Sequence, residues 1–210
     1  MFVTDGRQLA EALDRWQPPD GRSYAYLLGL YLGDGCLGVQ GSSAQLTLNL
    51  AEAYPSIVTQ ASEAIRRTVP GIHVGLCAGP GLIKVYANTP VWLRAFPQHG
   101  PGRKHTRCIR LRPWQREITG AHPKALIRGL IHSDGSRCIN RFKMKLPSGR
   151  VGSYSYVRYF FTNYSADIRN IFCEHCGLLG IRWTQSSFKN ISIAHRDSVA
   201  KLDSFVGPKC

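Results

Sequence analysis

The amino-acid sequence predicts an α+β fold of two pseudo-symmetric half-domains that pack through two central helices. The first observation is a motif that occurs twice: the run LLGLYLGDG at residues 27–35 recurs as IRGLIHSDG at residues 127–135. The acidic residues of the two copies lie 100 positions apart (134 − 34) in a chain of 210 residues. The second observation is that the same order of helices and strands is predicted after each copy. Internal repetition of this kind indicates two copies of one structural unit.

The first half-domain is predicted from hydrophobic periodicity and from turn-forming residues. Leu46, Leu48 and Leu50 alternate with polar residues, which is the period of a strand with one apolar face. Pro55 suits the first turn of a helix. The predicted order is a motif helix at 24–34, strands at 37–39 and 45–50, a helix at 55–68, strands at 72–77 and 82–87, and a closing helix at 89–96.

The second half-domain is predicted to repeat this αββαββα order. Its elements are a motif helix at 123–134, strands at 137–146 and 154–163, a helix at 166–179, strands at 181–185 and 190–194, and a closing helix at 197–205. In the first of these strands an apolar set, Phe142, Met144 and Leu146, alternates with a basic set, Arg141, Lys143 and Lys145. We expect the apolar set to face the core and the basic set to face solvent.

Four segments make up the predicted domain organisation. Residues 1–22 form a short amphipathic helix, predicted at 4–16, and a linker at 18–21, where Pro18 and Pro19 break the helix. Residues 23–98 form the first half-domain, residues 99–118 a basic linker, and residues 119–210 the second half-domain.

Charge and composition favour a polyanionic partner. The formal net charge is +14 and the hydrophobic content is 43%. Such a balance is typical of proteins that bind nucleic acid. The sequence shows neither an apolar run of about 18 residues nor a signal peptide, so we expect an intracellular protein, cytoplasmic or nucleoid-associated, without a targeting signal and without a membrane partner. Cys173 and Cys176 form a close pair, but a second ligand pair at similar spacing is missing, which argues against structural zinc.

Small residues four positions apart mark one face of each motif helix. They are Gly29 and Gly33 in the first copy, and Gly129 and Ser133 in the second. Small residues at this spacing allow two helix backbones to approach closely. We therefore expect the two motif helices to pack side by side, in parallel, at the centre of the molecule.

Asp34 and Asp134 end the two motif helices, and this placement is electrostatically unfavourable. Each carboxylate meets the negative end of a helix dipole, at a cost of about 0.3–1 kcal/mol, and the two carboxylates repel each other. A divalent cation between them would reverse both effects, and hard oxygen ligands favour Mg²⁺ over zinc. The alternative is that each Asp-Gly pair only closes a helix.

Polar side chains on the predicted strands, and a basic linker, form the second group of candidate functional residues. Strand side chains of this kind can reach base edges or phosphates in a major groove. For the strand residues, the alternative is an ordinary solvated sheet face. For the linker, the alternative is a connector whose charges serve only solubility. The residues predicted to contact DNA are Gln45, Thr47, Asn49, Lys84, Arg103, Lys104, His105, Arg107, Arg137, Arg141, Lys143, Lys145, Arg150, Tyr156, Arg158, Arg182 and Lys189.

The two motifs and the repeated element order, over about residues 24–209, resemble the LAGLIDADG homing endonuclease family in its single-chain, two-motif form. The resemblance implies that the motif helices join the half-domains and that saddle-shaped antiparallel sheets lie over the major groove. It also implies a monomer that cuts both strands of a long, non-palindromic DNA site and leaves staggered ends. Gly33 and Ser133 stand where the family consensus has alanine.

The resemblance also implies roles for individual residues. Asp34 and Asp134 would bind two or three catalytic Mg²⁺ ions, with Ca²⁺ as a non-catalytic substitute, helped by the main-chain carbonyls of Gly33 and Ser133. Lys104 and Lys209 follow the two closing segments at similar positions and are the candidates for the basic residues that stabilise developing charge.

Two other functions are compatible with the sequence. One is a DNA-binding transcriptional regulator that keeps the fold but does not cut. The other is an RNA maturase that assists intron splicing. Metal-dependent double-strand cutting separates the endonuclease from the regulator, and a preference for folded RNA over duplex DNA marks the maturase.

Overall fold

The computed structural model describes residues 15–207 and residue 209. Most of the predicted N-terminal helix, residues 4–14, therefore lies outside the described residues. The elements of the first half are α1 (Gly21–Asp34), β1 (Gly35–Gln40), β2 (Ser43–Ala51), α2 (Pro55–Thr68), β3 (Gly75–Gly79), β4 (Leu82–Asn88) and α3 (Val91–Ala95).

A connection that includes a 3-10 turn (Lys104–Thr106) and helix α4 (Pro113–Ala121) leads to the second half. The second half contains α5 (Pro123–Asp134), β5 (Gly135–Lys145), β6 (Val151–Thr162), α6 (Ala166–Leu178), β7 (Thr184–Gln185), β8 (Asn190–Ile193) and α7 (Arg196–Asp203). Each half therefore has the predicted αββαββα order, with α4 added between them. Among the described helices, none is both long and apolar enough to span a membrane.

Each half carries one four-stranded antiparallel sheet. The strand order is β1-β2-β4-β3 in the first half and β5-β6-β8-β7 in the second, so the two topologies are equivalent. Gly35 pairs with Leu48 in the first half, and Gly135 pairs with Phe161 in the second. The first strand of each sheet thus begins directly after the acidic residue that ends a motif helix.

The motif helices α1 and α5 lie against each other at the centre of the molecule. A Cβ atom on Gly29 would lie 2.5 Å from the carbonyl oxygen of Leu126 and 2.8 Å from the amide nitrogen of Leu130. A Cβ on Gly33 would likewise lie 2.9 Å from a carboxylate oxygen of Asp134. Only glycine permits this approach, which confirms the close parallel packing predicted from the small residues.

The core surrounds this helix pair. Leu27, Leu28 and Leu30 of α1 and Leu126 and Ile127 of α5 are fully buried. The sheet of each half covers the helices with one apolar pleat face, on which Leu46 and Leu48 lie in the first half and Tyr159 and Phe161 in the second. The acidic ends of both motif helices are thereby held at one edge of a rigid interior.

One prediction about strand faces is wrong. In β5 the apolar set does not face the core: Phe142 is 41% exposed and Met144 is 49% exposed. Phe142 pairs with Tyr154, and Lys143 pairs with Ser153. This part of the hairpin extends beyond the helices, so both of its faces are exposed and the alternation has no inward side.

Candidate active site and nucleic-acid interface

Asp34 and Asp134 occupy equivalent positions at the ends of the two motif helices. Gly35 and Gly135 follow them with extended backbone, and each amide donates a hydrogen bond to the helix, to Tyr31 and Ile131 respectively. The chain therefore turns directly from helix into strand at each acid. Because the helices are parallel and in contact, both carboxylates are delivered to the same end of the interface.

Burial and mutual repulsion perturb both acids. Burial, followed by the charge of Asp134, raises the pKa of Asp34 to about 6, although Lys209 and Lys104 oppose the rise. Burial also raises the pKa of Asp134, and the hydrogen bond from Asn163 acts in the opposite direction. Carboxyl groups with raised pKa values in a cleft are typical of functional sites.

Lys104 and Lys209 stand beside the two acids in equivalent ways. The Lys104 ammonium donates to the carbonyl oxygens of Tyr31, Gly33 and Gly35, at 3.1 Å for Gly33. Lys209 donates to the carbonyls of Ser133, at 3.5 Å, and Gly135. Burial lowers the pKa of Lys104 to about 8 and also lowers that of Lys209. The two predicted lysines are thus brought to the acids.

Asn163 is a site residue that sequence reasoning missed. Its side-chain amide donates to the Asp134 carboxylate at 2.6 Å, while its side-chain oxygen accepts from the Ser165 amide at 2.8 Å. Gly135 pairs with Phe161 in the second sheet, and Gly35 pairs with Leu48 in the first. Asn163 and Leu50 each follow that partner by two residues, so they stand at equivalent positions. Since the first half has a leucine there, the repeat gives no signal for this contact.

Asp134 and the glycines on either side of Asp34, Gly33 and Gly35, line a cleft of about 490 Å³. Lys104 and His105 reach it from the connection after the first half, and Asp134, Asn163 and Tyr164 from the second. The His105 and Tyr164 rings lie 5.7 Å apart across it. A phosphodiester in this cleft would meet a carboxylate from one half and an ammonium group from the other.

His132 precedes the second acid by two residues but belongs to the helix interface. Its ring hydrogen-bonds with the Tyr26 hydroxyl at 2.9 Å and with the Val206 carbonyl at 2.9 Å. Burial lowers the pKa of His132 to about 4, so the ring is neutral at physiological pH. These contacts support its interpretation as a packing residue rather than a general base.

The donor set at the helix ends fits a hard divalent cation. It consists of the Asp34 and Asp134 carboxylates and the main-chain carbonyls of Gly33 and Ser133, all oxygen ligands of the kind that Mg²⁺ and Ca²⁺ prefer. Clusters of three or more His, Cys, Asp or Glu side chains are absent from the described part of the chain. Water molecules and phosphate oxygens would complete the coordination. The Lys104 and Lys209 ammonium groups already bind the carbonyls of Gly33 and Ser133. Each carbonyl oxygen keeps a second lone pair that can bind a cation.

In the first half, the predicted polar residues share the sheet face that points away from the helices. Asn49 pairs with Lys84, and Thr47 pairs with Tyr86, so the four side chains lie on one face with Gln45. Asn49 is exposed, and Gln45 and Lys84 are partly exposed. Thr47 is 7% exposed, which leaves it little surface for DNA.

In the second half, the predicted residues lie on both faces of the β5–β6 hairpin. Tyr156 and Arg158 point away from the helices, where the Arg158 guanidinium contacts the Tyr156 ring and donates to the Ser192 hydroxyl. Arg137 pairs with Tyr159 on the opposite face and forms an ion pair with Asp203 at 2.8 Å. Register places Arg141, Lys143 and Lys145 on the face of Arg137.

The remaining predicted contacts are scattered. Arg103 and His105 are exposed beside the cleft, whereas Arg107 is partly buried. Arg150 is exposed in the β5–β6 turn. Lys189 donates to the Tyr164 hydroxyl at 2.9 Å, at the rim of the cleft. Arg182, by contrast, contacts His195 at the start of α7.

Comparison with known proteins identifies the fold. No sequence model of a protein family matches the chain, and no curated protein is significantly similar to it. Solved structures do match: I-DmoI in complex with DNA and Mn is 15% identical, with a TM-score of 0.57, over 90% of this chain and 99% of that chain. The LAGLIDADG meganuclease I-AabMI bound to uncleaved DNA is 13% identical, with a TM-score of 0.51, over 87% of this chain and 82% of that chain. A mutant of I-SmaMI is 10% identical, with a TM-score of 0.51, over 91% and 86%.

These similarities confirm that the chain has the two-domain LAGLIDADG fold. The α+β architecture expected from the repeated motif, with two antiparallel sheets around a central helix pair, is the observed one.

Proposed function

We propose that this protein is a metal-dependent, site-specific double-strand DNA endonuclease of the homing type. The observation that carries the proposal is the pair of buried carboxylates, Asp34 and Asp134, at the touching ends of two parallel helices, each with a lysine beside it. A purely structural helix end has no need of two repelling acids with raised pKa values. The similarity to DNA-bound I-DmoI and I-AabMI supports the same function.

The two carboxylates account for cleavage of two strands. Each half contributes one acid, one carbonyl and one lysine, so the site contains two related sets of groups around a pseudo-twofold axis. Bound Mg²⁺ would polarise the scissile phosphate and lower the pKa of the attacking water. Asp34 and Asp134 would hold the cations, with the carbonyls of Gly33 and Ser133 as further ligands.

Lys104 and Lys209 would stabilise the negative charge that develops on the phosphate. In the structure both ammonium groups are held by main-chain carbonyls, at the bend from motif helix to strand. Arrival of phosphate offers each lysine a charged partner in place of neutral carbonyl oxygens. Each lysine ammonium group is therefore placed to exchange its main-chain carbonyl partners for a phosphate oxygen of the substrate.

The half-domains differ on their exposed sheet faces, which favours a non-palindromic target. Gln45, Asn49 and Lys84 dominate the first face, and Tyr156 and Arg158 lie on the second. A single chain with two unlike surfaces presents different side chains to the two half-sites. We propose that it acts as a monomer.

The experiment that tests the proposal is selection from a randomised duplex library. Bound DNA is captured with Ca²⁺, Mg²⁺ is then added, and new ends are sequenced, with Asp34→Asn and Asp134→Asn in parallel. Defined staggered ends from the wild type alone support the endonuclease. An enriched sequence that is never cut supports the non-cleaving regulator, and preference for folded RNA over any duplex supports the maturase.

A further inference from the structure

The β5–β6 hairpin extends well beyond its sheet. β8 pairs with residues 159–162 of β6, whereas residues 138–145 and 151–158, here called the ribbon, pair within the described chain only with each other. Eight residues at about 3.3 Å each give a length of about 26 Å. A two-stranded ribbon fits the major groove of B-DNA, and this length corresponds to about eight base pairs.

One face of the ribbon is apolar and exposed. Phe142, Met144, Tyr154 and Tyr156 share the pleat face that points away from the helices, and all four are exposed. The Phe142 ring stacks on Tyr154, with centroids 5.3 Å apart, and meets Tyr156 edge-on at 6.0 Å. The rings thus form a continuous surface rather than isolated exposed side chains. A contiguous exposed apolar surface indicates a binding site.

The charge around this face identifies the partner as a polyanion. Residues 135–165 contain no Asp or Glu, and they contain six cations. The members of this set are Arg137, Arg141, Lys143, Lys145, Arg150 and Arg158. On the ribbon itself, Arg158 shares the face of the rings, whereas Arg141, Lys143 and Lys145 lie on the reverse face. In a groove, the apolar face can meet bases, while the long side chains of the cations on the reverse face reach past the ribbon edges to the phosphates on either side.

The equivalent face of the first half has a different chemistry. Gln45, Asn49 and Lys84 are hydrogen-bonding side chains, and they suit the donor and acceptor groups of base edges. On the ribbon, the corresponding face offers aromatic carbon and a thioether. The thymine C5-methyl is the apolar group that base pairs present in the major groove.

We propose that the ribbon enters the major groove and recognises thymine methyl groups through Phe142, Met144, Tyr154 and Tyr156. This inference rests on the proposed binding of duplex DNA, and it assigns the chemistry of one half-site. The half-site under the ribbon is read by apolar contact with thymines, whereas the half-site under the first sheet is read by hydrogen bonds. The two halves therefore read DNA in different ways.

Replacement of thymine by deoxyuridine tests the inference, because it removes the methyl group and leaves base pairing intact. Each thymine of the selected site is replaced in turn, and affinity is measured in Ca²⁺. In the ribbon half-site we expect a loss of about fourfold for each contacted methyl, the equivalent of about 0.8 kcal/mol. Replacements in the other half-site should change affinity less than twofold.

Phe142→Ala supplies the matched variant. It should weaken binding and remove the penalty of deoxyuridine at the position that Phe142 contacts, because the methyl then has no partner. Leu178→Ala, an exposed apolar residue on α6, should leave the pattern unchanged. Circular dichroism and sedimentation accompany both variants, and loss of a wild-type dimer in Phe142→Ala would overturn the inference in favour of self-association.

The outcomes separate the two proposals. Tight duplex binding with no deoxyuridine penalty in either half-site overturns the recognition of methyl groups and leaves the endonuclease standing. A deoxyuridine penalty without metal-dependent cutting supports the ribbon and removes the endonuclease. Absence of any duplex binding overturns both.

Discussion

Asp34→Asn should stabilise the folded protein at neutral pH. The side chain is replaced by a neutral amide of nearly the same shape, so packing changes little. The charge that is removed is unfavourable in the folded state, because burial and the Asp134 carboxylate raise the pKa of Asp34 from 3.8 to about 6. If the carboxylate served only to stabilise the fold, its replacement by an amide should lower the free energy of unfolding.

The magnitude follows from proton linkage. The difference between 3.8 and about 6, at 1.36 kcal/mol for each pH unit, is about 3 kcal/mol. Between these two pKa values the folded state binds more protons than the unfolded state, so stability falls as pH rises. The cost is complete above the folded pKa and absent below 3.8. Because Lys104 and Lys209 lose one of their counter-ions in the variant, we expect a net gain of about 1–3 kcal/mol at pH 7.5.

The assay is urea denaturation of wild type and variant from pH 3.5 to pH 8, without divalent metal. The gain should be largest at pH 7.5 and vanish near pH 3.5. Asp203→Asn is the matched control, since the bonds from Arg137 and Tyr159 lower the pKa of Asp203 and the variant should lose stability at neutral pH. A loss of 1 kcal/mol or more in Asp34→Asn would refute the reasoning, because it would mean that attraction to the lysines outweighs burial.

Three further predictions concern the helix interface, the second acid and the ribbon. Gly29→Ala should lose about 1–3 kcal/mol in thermal denaturation, because its Cβ would lie 2.5 Å from a main-chain oxygen, whereas Gly120→Ala, with open space on α4, should gain about 0.5–1 kcal/mol. Asn163→Ala should free the Asp134 carboxylate and slow the cutting of one strand about tenfold or more, so that nicked DNA accumulates on gels; equal slowing of both strands would contradict this role. Lys143→Ala should lower the slope of log affinity against log salt by about one unit, and Arg137→Ala, already paired with an acid, should leave it unchanged.

The motif helices and the element order could be predicted because the same motif and the same order of hydrophobic patterns occur twice in the sequence. Gly29 and Gly129 specify a contact between two helices, and period-two alternation in β2 specifies a strand with one buried face. Local patterns of this kind depend on neighbours within a few residues. The bounds of most elements therefore differed from prediction by only a few residues, while the addition of α4 came from a segment predicted as a linker.

The ribbon could not be predicted correctly because alternation indicates which residues share a face, not which face is inward. Phe142 and Met144 would be core residues if a helix covered them. β8 pairs only with residues 159–162 of β6, and in the rest of the hairpin both Phe142 and Met144 are exposed. The topology of the sheet therefore determines that the apolar set is exposed, and the amino-acid sequence of the strand alone does not indicate it.

In the site too, residues that follow local sequence patterns could be predicted, whereas a residue brought in from a distant part of the chain could not. Asp34 and Asp134 end helices that the sequence marks clearly, and Lys104 and Lys209 follow closing segments that resemble each other. Asn163 reaches Asp134 from a strand end 29 residues away. That distance is set by the length of β5 and β6, and the equivalent strands of the first half are shorter.

The two halves are alike where they touch and unlike where they face outward, and packing explains both. Around the pseudo-twofold axis each residue meets its own counterpart, as Gly29 meets Gly129 and Gly33 meets Ser133, so a change in one half must be accommodated by the other. The outer sheet faces meet no counterpart. Gln45 and Asn49 on one side, and Phe142 on the other, are therefore free to differ. One acidic centre shared by two halves with different surfaces is the arrangement that the proposed asymmetric DNA target requires.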